Sequence, residues 1–287
     1  MSVLLFIILF TTIGGVLSVL AASVFLLLPE AQRQNVLPHG ISFAIGALLT
    51  GAFCGLIPHA FQEVAAEDMP KLSATILFGI LLFFVLEKLL IWRHCHSQAC
   101  EAHGEDSHSH EHAAHSHNPT LGPRPAGLFI ILGDSMHNFV DGVLIAAAFI
   151  TDIQLGIVTS LAVAAHEIPQ EVGDFAILLH SGYTRGKALF YNILSSLATV
   201  VGGVIAYFSL GDLHQLLPYF LTLAASSFIY IAVADLIPSL HQKTDIKTSL
   251  QQIGFIIAGV ALILIMQSIA HRYEDRKTEQ SLESLGI

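Results

Sequence analysis

Charge is scarce in this chain. Only 12% of its 287 residues are Asp, Glu, Lys or Arg, and Lys and Arg together number 12. Those basic residues are scattered and form no patch, which excludes nucleic acid as a partner. The three cysteines, Cys54, Cys95 and Cys100, give no disulfide framework. Cys54 lies in an apolar run and is expected to pack in the core. No basic residue precedes the apolar N-terminal run, which is also too long for the apolar part of a cleavable leader, so it reads as a first helix. With 54% hydrophobic residues and a mean hydropathy of +0.69, the chain does not read as a water-soluble domain.

What the chain has in place of charge is a series of apolar runs, each long enough at about 20 residues to cross a bilayer as a helix. The pattern predicts an all-α, polytopic membrane protein of one domain, 1–287. Its eight transmembrane helices are expected near 4–28, 39–63, 72–92, 127–150, 155–181, 188–210, 216–240 and 253–270. In the second, Gly46, Gly51 and Gly55 suit close helix packing, and Pro58 frees backbone groups beside His59. His59 is either a contributor to a metal path or an interfacial histidine without a role. In the third, Glu87 and Lys88 are expected to pair or to snorkel at the interface. Asp235, in the seventh, falls inside the membrane or near its edge.

Residues 94–118 break the pattern. Eight His, two Cys and several acids crowd a tract with almost no large apolar side chain, a composition that buries no core. It is expected to be disordered and to bind metal weakly, since it holds no fixed ligand spacing. The positive-inside bias favours termini outside and this tract in the cytoplasm. Arg33, Arg93, Arg124, Arg185, Lys187, Lys243 and Lys247 then lie on the inner side, against Lys71 and the tail residues Arg272, Arg276 and Lys277.

Two further stretches place ionisable groups inside apolar runs, 133–142 (GDSMHNFVDG) and 163–174 (VAAHEIPQEVGD). A charged side chain at mid-membrane costs about 2.5–3.5 kcal/mol on insertion scales, so such groups mark ion paths more often than plain helix contacts. A helix puts His137, Asn138 and Asp141 on one face, while His166 pairs with Gln170 and Glu167 with Glu171 at one-turn spacing. Asp174 follows one turn beyond Glu171. A very short link at Asp152–Gln154 makes the two helices antiparallel neighbours. Imidazole and carboxylate on facing helices are a donor set for a divalent transition metal. Pro169 removes one backbone hydrogen bond within the second stretch and can bend it.

At HNFVDG and HEIPQEVGDFAILLHSG the sequence resembles the ZIP family of zinc and iron transporters, and within it the LIV-like subgroup whose fifth helix carries HExPHE. The resemblance covers the eight helices, the His-rich loop and the LIPHA segment of the second helix. It implies a divalent-metal path between helices two, four, five and seven, with zinc as cargo and iron, manganese or cadmium as further candidates. Carried over by motif, His137, Asp141, His166 and Gln170 match a first metal site, and Asn138, Asp141, Glu167 and Gln170 a second. Glu171 is a ligand or a proton acceptor; in a transport cycle His59, if it has a role, would capture the ion at the outer end.

Gln170 departs from the subgroup's histidine. An amide oxygen is a weaker and harder ligand, which leaves the preference for zinc over iron or manganese open. Helix six also lacks the carboxylate of some bacterial relatives, which leaves the second site weak or absent. The expected partners are divalent metal ions and the lipid bilayer, with a homodimer open, and the expected location is a plasma membrane of bacterial inner-membrane type. Other readings of the same residues are an intramembrane zinc peptidase, since HEIPQ approaches HExxH, an exporter, and a metal-gated receptor. If the His-rich tract receives or senses the ion, a chain lacking residues 94–118 should show altered metal uptake or metal response; unchanged uptake rules that role out.

Overall fold

The computed structural model describes residues 2–95, 124–210, 213–240 and 246–285, and among these residues there is no strand. Of the His-rich tract, residues 96–118 lie outside the described set, as does Lys243. Eight helical rods follow one another among the described residues. Helix α1 runs Val3–Thr12, passes a π turn at Ile13–Leu17 and continues as Ser18–Phe25. Helix α2 runs Glu30–Thr50, a π turn at Gly51–Leu56, then Ile57–Gln62. Next come α3 (Met69–Cys95), α4 (Arg124–Thr151), α5 (Ile153–His180) and α6 (Arg185–Leu210). A short 3-10 turn at His214–Leu216 leads into α7, built from Leu217–Tyr230, a π turn at Ile231–Leu236 and Ile237–Leu240; α8 is Ile246–Leu285.

Seven of the eight are long and apolar enough to cross a membrane. The one outside that set is α5, whose hydropathy is lowered by His166, Glu167, Gln170, Glu171 and Asp174. The protein is thus an all-α, multi-pass membrane protein, and the helix outside that set buries much of its length, including His166, Glu167 and Glu171, against the others. Two boundaries differ from the sequence expectation. Helix α2 begins nine residues before His39 and runs through Pro38; a proline removes a single backbone bond, and a long helix absorbs the loss. Helix α8 extends beyond both ends of the apolar run that announced it.

The rods pack by backbone approach at small residues, as expected where lipid removes most of the hydrophobic drive between helices. A Cβ added to Gly142 of α4 would overlap the Thr199 carbonyl oxygen of α6, and one on Gly202 would overlap the Phe139 carbonyl oxygen. Helices α2 and α8 meet in the same way, Gly46 against Ile256 and Gly259 against Phe43. Gly51 makes ordinary side-chain contacts, with Ala162 and Phe228, whereas a Cβ added to Gly55 would press on the Gln267 side-chain amide at 3.1 Å.

The π turns of α2 and α7 are alike. Each is followed at once by an Ile-Pro pair, Ile57-Pro58 and Ile237-Pro238. In α2 the turn faces Gly51, Ala52, Gly55 and Leu56 inward and leaves Cys54 exposed on the outer face of the bundle. This corrects the expectation of a packed Cys54; the extra residue of a π turn shifts the facing of the side chains around it. Glu87 also differs from expectation, since it accepts a hydrogen bond from the Tyr230 hydroxyl of α7 while Lys88 stays exposed.

Overpacking a filled contact costs about 1–3 kcal/mol or more. Gly142→Val is therefore expected to lower the melting temperature of detergent-solubilised protein sharply or to abolish folding. Gly173→Ala, where an added Cβ meets nothing within 4 Å, should leave it within a few degrees of the parent.

Candidate metal centre

One residue joins the two helices that carry the polar stretches. Asp152 caps α5 by accepting the Leu155 N–H at 2.8 Å, so α4 and α5 lie antiparallel and side by side. His137 and Asp141 of α4 then face His166 and Glu167 of α5, with one ligand atom from each within 4.8 Å of all the others. His137 Nε2 lies 3.3 Å from His166 Nε2. His166 Nε2 lies 3.2 Å from Asp141 Oδ2 and 3.7 Å from Glu167 Oε1, and His137 Nε2 3.7 Å and 3.6 Å from the same two atoms. A tetrahedral zinc with bonds near 2.0–2.1 Å separates its ligand atoms by about 3.3 Å, so this spacing fits one ion with little adjustment.

The donors are prepared for that ion. His166 Nδ1 donates to the Ala162 carbonyl at 3.2 Å, which leaves its Nε2 lone pair facing Asp141 and Glu167. All four carboxylate oxygens of Asp141 and Glu167 are buried without a hydrogen-bond partner. An orphaned buried carboxylate is costly unless a cation or a proton meets it. A cavity of about 760 Å³ reaches His137 and His166 and is lined further by Asp134, Gln170, Asp174 and Tyr230. It lies at the end of the bundle where α4 begins and α5 and α7 finish. Towards the other end the centre is sealed by fully buried apolar side chains, among them Leu144, Phe149, Leu155, Leu56 and Phe228.

The remaining sequence candidates stand apart from these four. Gln170 lines the cavity. Asn138 is fully buried, its oxygen accepting from Thr199 Oγ1 at 2.6 Å and its amide donating to Asp134 Oδ1 at 2.8 Å. Glu171 is fully buried and neither of its oxygens has a hydrogen-bond partner. His59 turns its Nδ1 to the Gly55 carbonyl at 3.0 Å; it is not one of the grouped four and does not line the cavity. Sequence reasoning passed over Asp134 and the α6 hydroxyls. Asp134 stands one turn before Asn138 and two before Asp141 on the same face, a periodicity that could have marked it.

The profile of the family described as "ZIP Zinc transporter" matches residues 1–267. The chain belongs to the ZIP zinc transporter family. Among curated ZIP relatives it is 28% identical to "Zinc transporter ZIP13" of Pongo abelii, over 78% of this chain and 65% of that protein. It is 28% identical to "Metal cation symporter ZIP14" of Mus musculus, over 88% and 64%. Over a shorter stretch it is 37% identical to "Zinc transporter foi" of Drosophila melanogaster, covering 52% of this chain and 21% of that one. This ZIP chain spans just under two thirds of the length of the first two relatives.

Removing one ligand charge while keeping its shape tests the centre directly. Asp141→Asn should weaken Zn²⁺ binding by on the order of 100-fold in equilibrium dialysis of detergent-solubilised protein. Thr199→Val, which only unties Asn138, should cost about tenfold or less.

Proposed function

We propose that this single membrane domain carries divalent metal ions, zinc foremost, into the cytoplasm, with His137, Asp141, His166 and Glu167 as the intramembrane ligands. The observation that carries the reading is the four-ligand group itself, three of its residues buried in mid-bundle, and reached by a cavity from the end where α4 begins. A transported ion must shed its waters onto fixed donors and leave by a different side from the one it entered. A centre closed on one side and open on the other suits one stage of that cycle. Iron and manganese are further cargo, since carboxylate donors and the amide of Gln170 accept harder ions than imidazole does, and cadmium, a softer ion, is further cargo through the two imidazoles.

The cavity end is also the basic end, with Arg33 at the start of α2, Lys88 late in α3, and Arg185 and Lys187 at the start of α6. Lys71 stands at the opposite end. By the positive-inside bias the cavity faces the cytoplasm and both termini lie outside. A plasma membrane of bacterial inner-membrane type is the proposed location, and a homodimer the proposed assembly. On this orientation His59, in the outer half of α2, is placed to meet an arriving ion, while Gln170 stands on the way out.

The peptidase reading is not favoured. It needs two histidines one turn apart on one helix with a glutamate as base, whereas here the imidazoles come from different helices and the residue one turn after His166 is Gln170.

Zn²⁺ uptake into proteoliposomes, compared between the parent chain and His166→Ala, tests the proposal. Flux in the parent that falls at least about tenfold in the variant is expected. Metal bound by the parent without flux would overturn transport in favour of a receptor.

A further inference from the structure

A carboxylate on a third helix also stands in the cavity wall. Glu87 of α3 lies within the apolar span Met69–Leu89 and lines the cavity together with Tyr230, Asp235 and Ser239 of α7. An acid inside a membrane span is costly and is kept where it has a partner and a task. The partner is the Tyr230 hydroxyl, which donates to Glu87 Oε2. The Tyr230 ring also stacks on Phe83, one turn earlier on α3, with centroids 6.5 Å apart and planes inclined by 29°.

The position of this bond along α7 gives it a use. One turn before Tyr230, Ser226 donates to the Ile76 carbonyl of α3 at 3.1 Å, and a Cβ added to Gly79 would come 2.6 Å from Ser226 Cβ. Between the two, the fully buried Phe228 sets its ring against that of His166, centroids 6.3 Å apart. Down to Phe228, α7 is therefore held by close backbone approach and core packing. Tyr230 is the last residue before the π turn Ile231–Leu236, and Pro238 follows, which leaves the Ala234 carbonyl without its helical donor. From Ile231 onward the helix has weaker internal bonding, and in this part Asp235 and Ser239 are exposed and line the cavity. A hydrogen bond at Tyr230 fixes the point from which that weaker segment departs.

We infer that Glu87 and Tyr230 are a positioning pair for metal transport. Their bond holds the start of the α7 π turn against α3 and so sets the cavity wall past which the ion moves, without Glu87 ligating it. The pair rests on the transport reading for its effect on flux, but its effect on the wall is measurable without flux.

The test uses the full-length chain and three readouts. These are Zn²⁺ uptake into proteoliposomes, Zn²⁺ binding in equilibrium dialysis, and the rate at which a water-soluble methanethiosulfonate modifies Ser239→Cys in a chain with Cys54, Cys95 and Cys100 replaced by serine. Tyr230→Phe and Glu87→Ala should each lower flux by at least about fivefold and change the thiol rate by at least about twofold. Zn²⁺ affinity, which depends on contacts above Tyr230 and also reports folding, should stay within about twofold in both. Glu87→Gln keeps an acceptor oxygen for the hydroxyl and should retain most of the flux and the parent thiol rate. Tyr230→Phe/Glu87→Ala should fall no further than the more affected single variant, as expected of two groups acting through one bond. Normal flux in Tyr230→Phe with equal losses in Glu87→Gln and Glu87→Ala overturns the pair and makes Glu87 an ion-binding carboxylate. Losses that add in the double variant, an unchanged thiol rate, or Zn²⁺ affinity lost along with flux also overturn it. If the parent binds Zn²⁺ without flux, the transport reading falls and the thiol rates alone decide whether the pair sets the wall.

Discussion

The cost of holding carboxylates away from water governs the rest of this bundle. Asp141 and Glu167 are each fully enclosed, and neither has a hydrogen-bond donor to share its charge. Such groups persist in an apolar interior only where a cation or a proton meets them. The surrounding structure serves that requirement. A single-residue link keeps α4 against α5, the Ala162 carbonyl orients His166, and the hydroxyls of α6 secure Asp134 and Asn138. Apolar side chains close one end, and the cavity admits exchange at the other.

Contact between helices follows from the same setting. With lipid outside, packing depends on how closely backbones approach, and glycine sets that distance. Gly142 and Gly202 bring α4 against α6, and that approach lets Ser195 and Thr199 reach the polar residues of α4. Gly46 and Gly259 do the same for α2 and α8. Polar function and small-residue packing are thus joined in α4, where Asn138 and Gly142 are one helical turn apart.

Much of this was legible beforehand. The eight apolar runs each became a helix, because a run of that length has no other stable form in a bilayer. One-turn spacing placed His137 with Asp141, and the short link at Asp152 made the two polar helices partners. What stayed hidden depends on rotation about helix axes, which periodicity fixes only coarsely. Asn138 shares a face with His137 yet turns to α6, and Cys54 is carried outward by a π turn that no local residue announces. Asp134 escaped notice because an aspartate alone near the start of a polar stretch resembles an interfacial residue. Pro38 suggested a helix boundary, but the helix continues through it.

The one-residue joint at Asp152 has a mechanical meaning. Two arms of a hairpin joined so tightly are pinned at the sealed end of the bundle, and the ligands on them sit partway along from that pin. Relative swing between the arms is least near the joint and grows towards the open end, where Asp134 and Asp174 lie. Any flexing of the hairpin therefore changes the gap between the inner carboxylates more than the gap between His137 and His166. The four-ligand centre behaves as the stiff part of a fork, and the acidic pair as its tines.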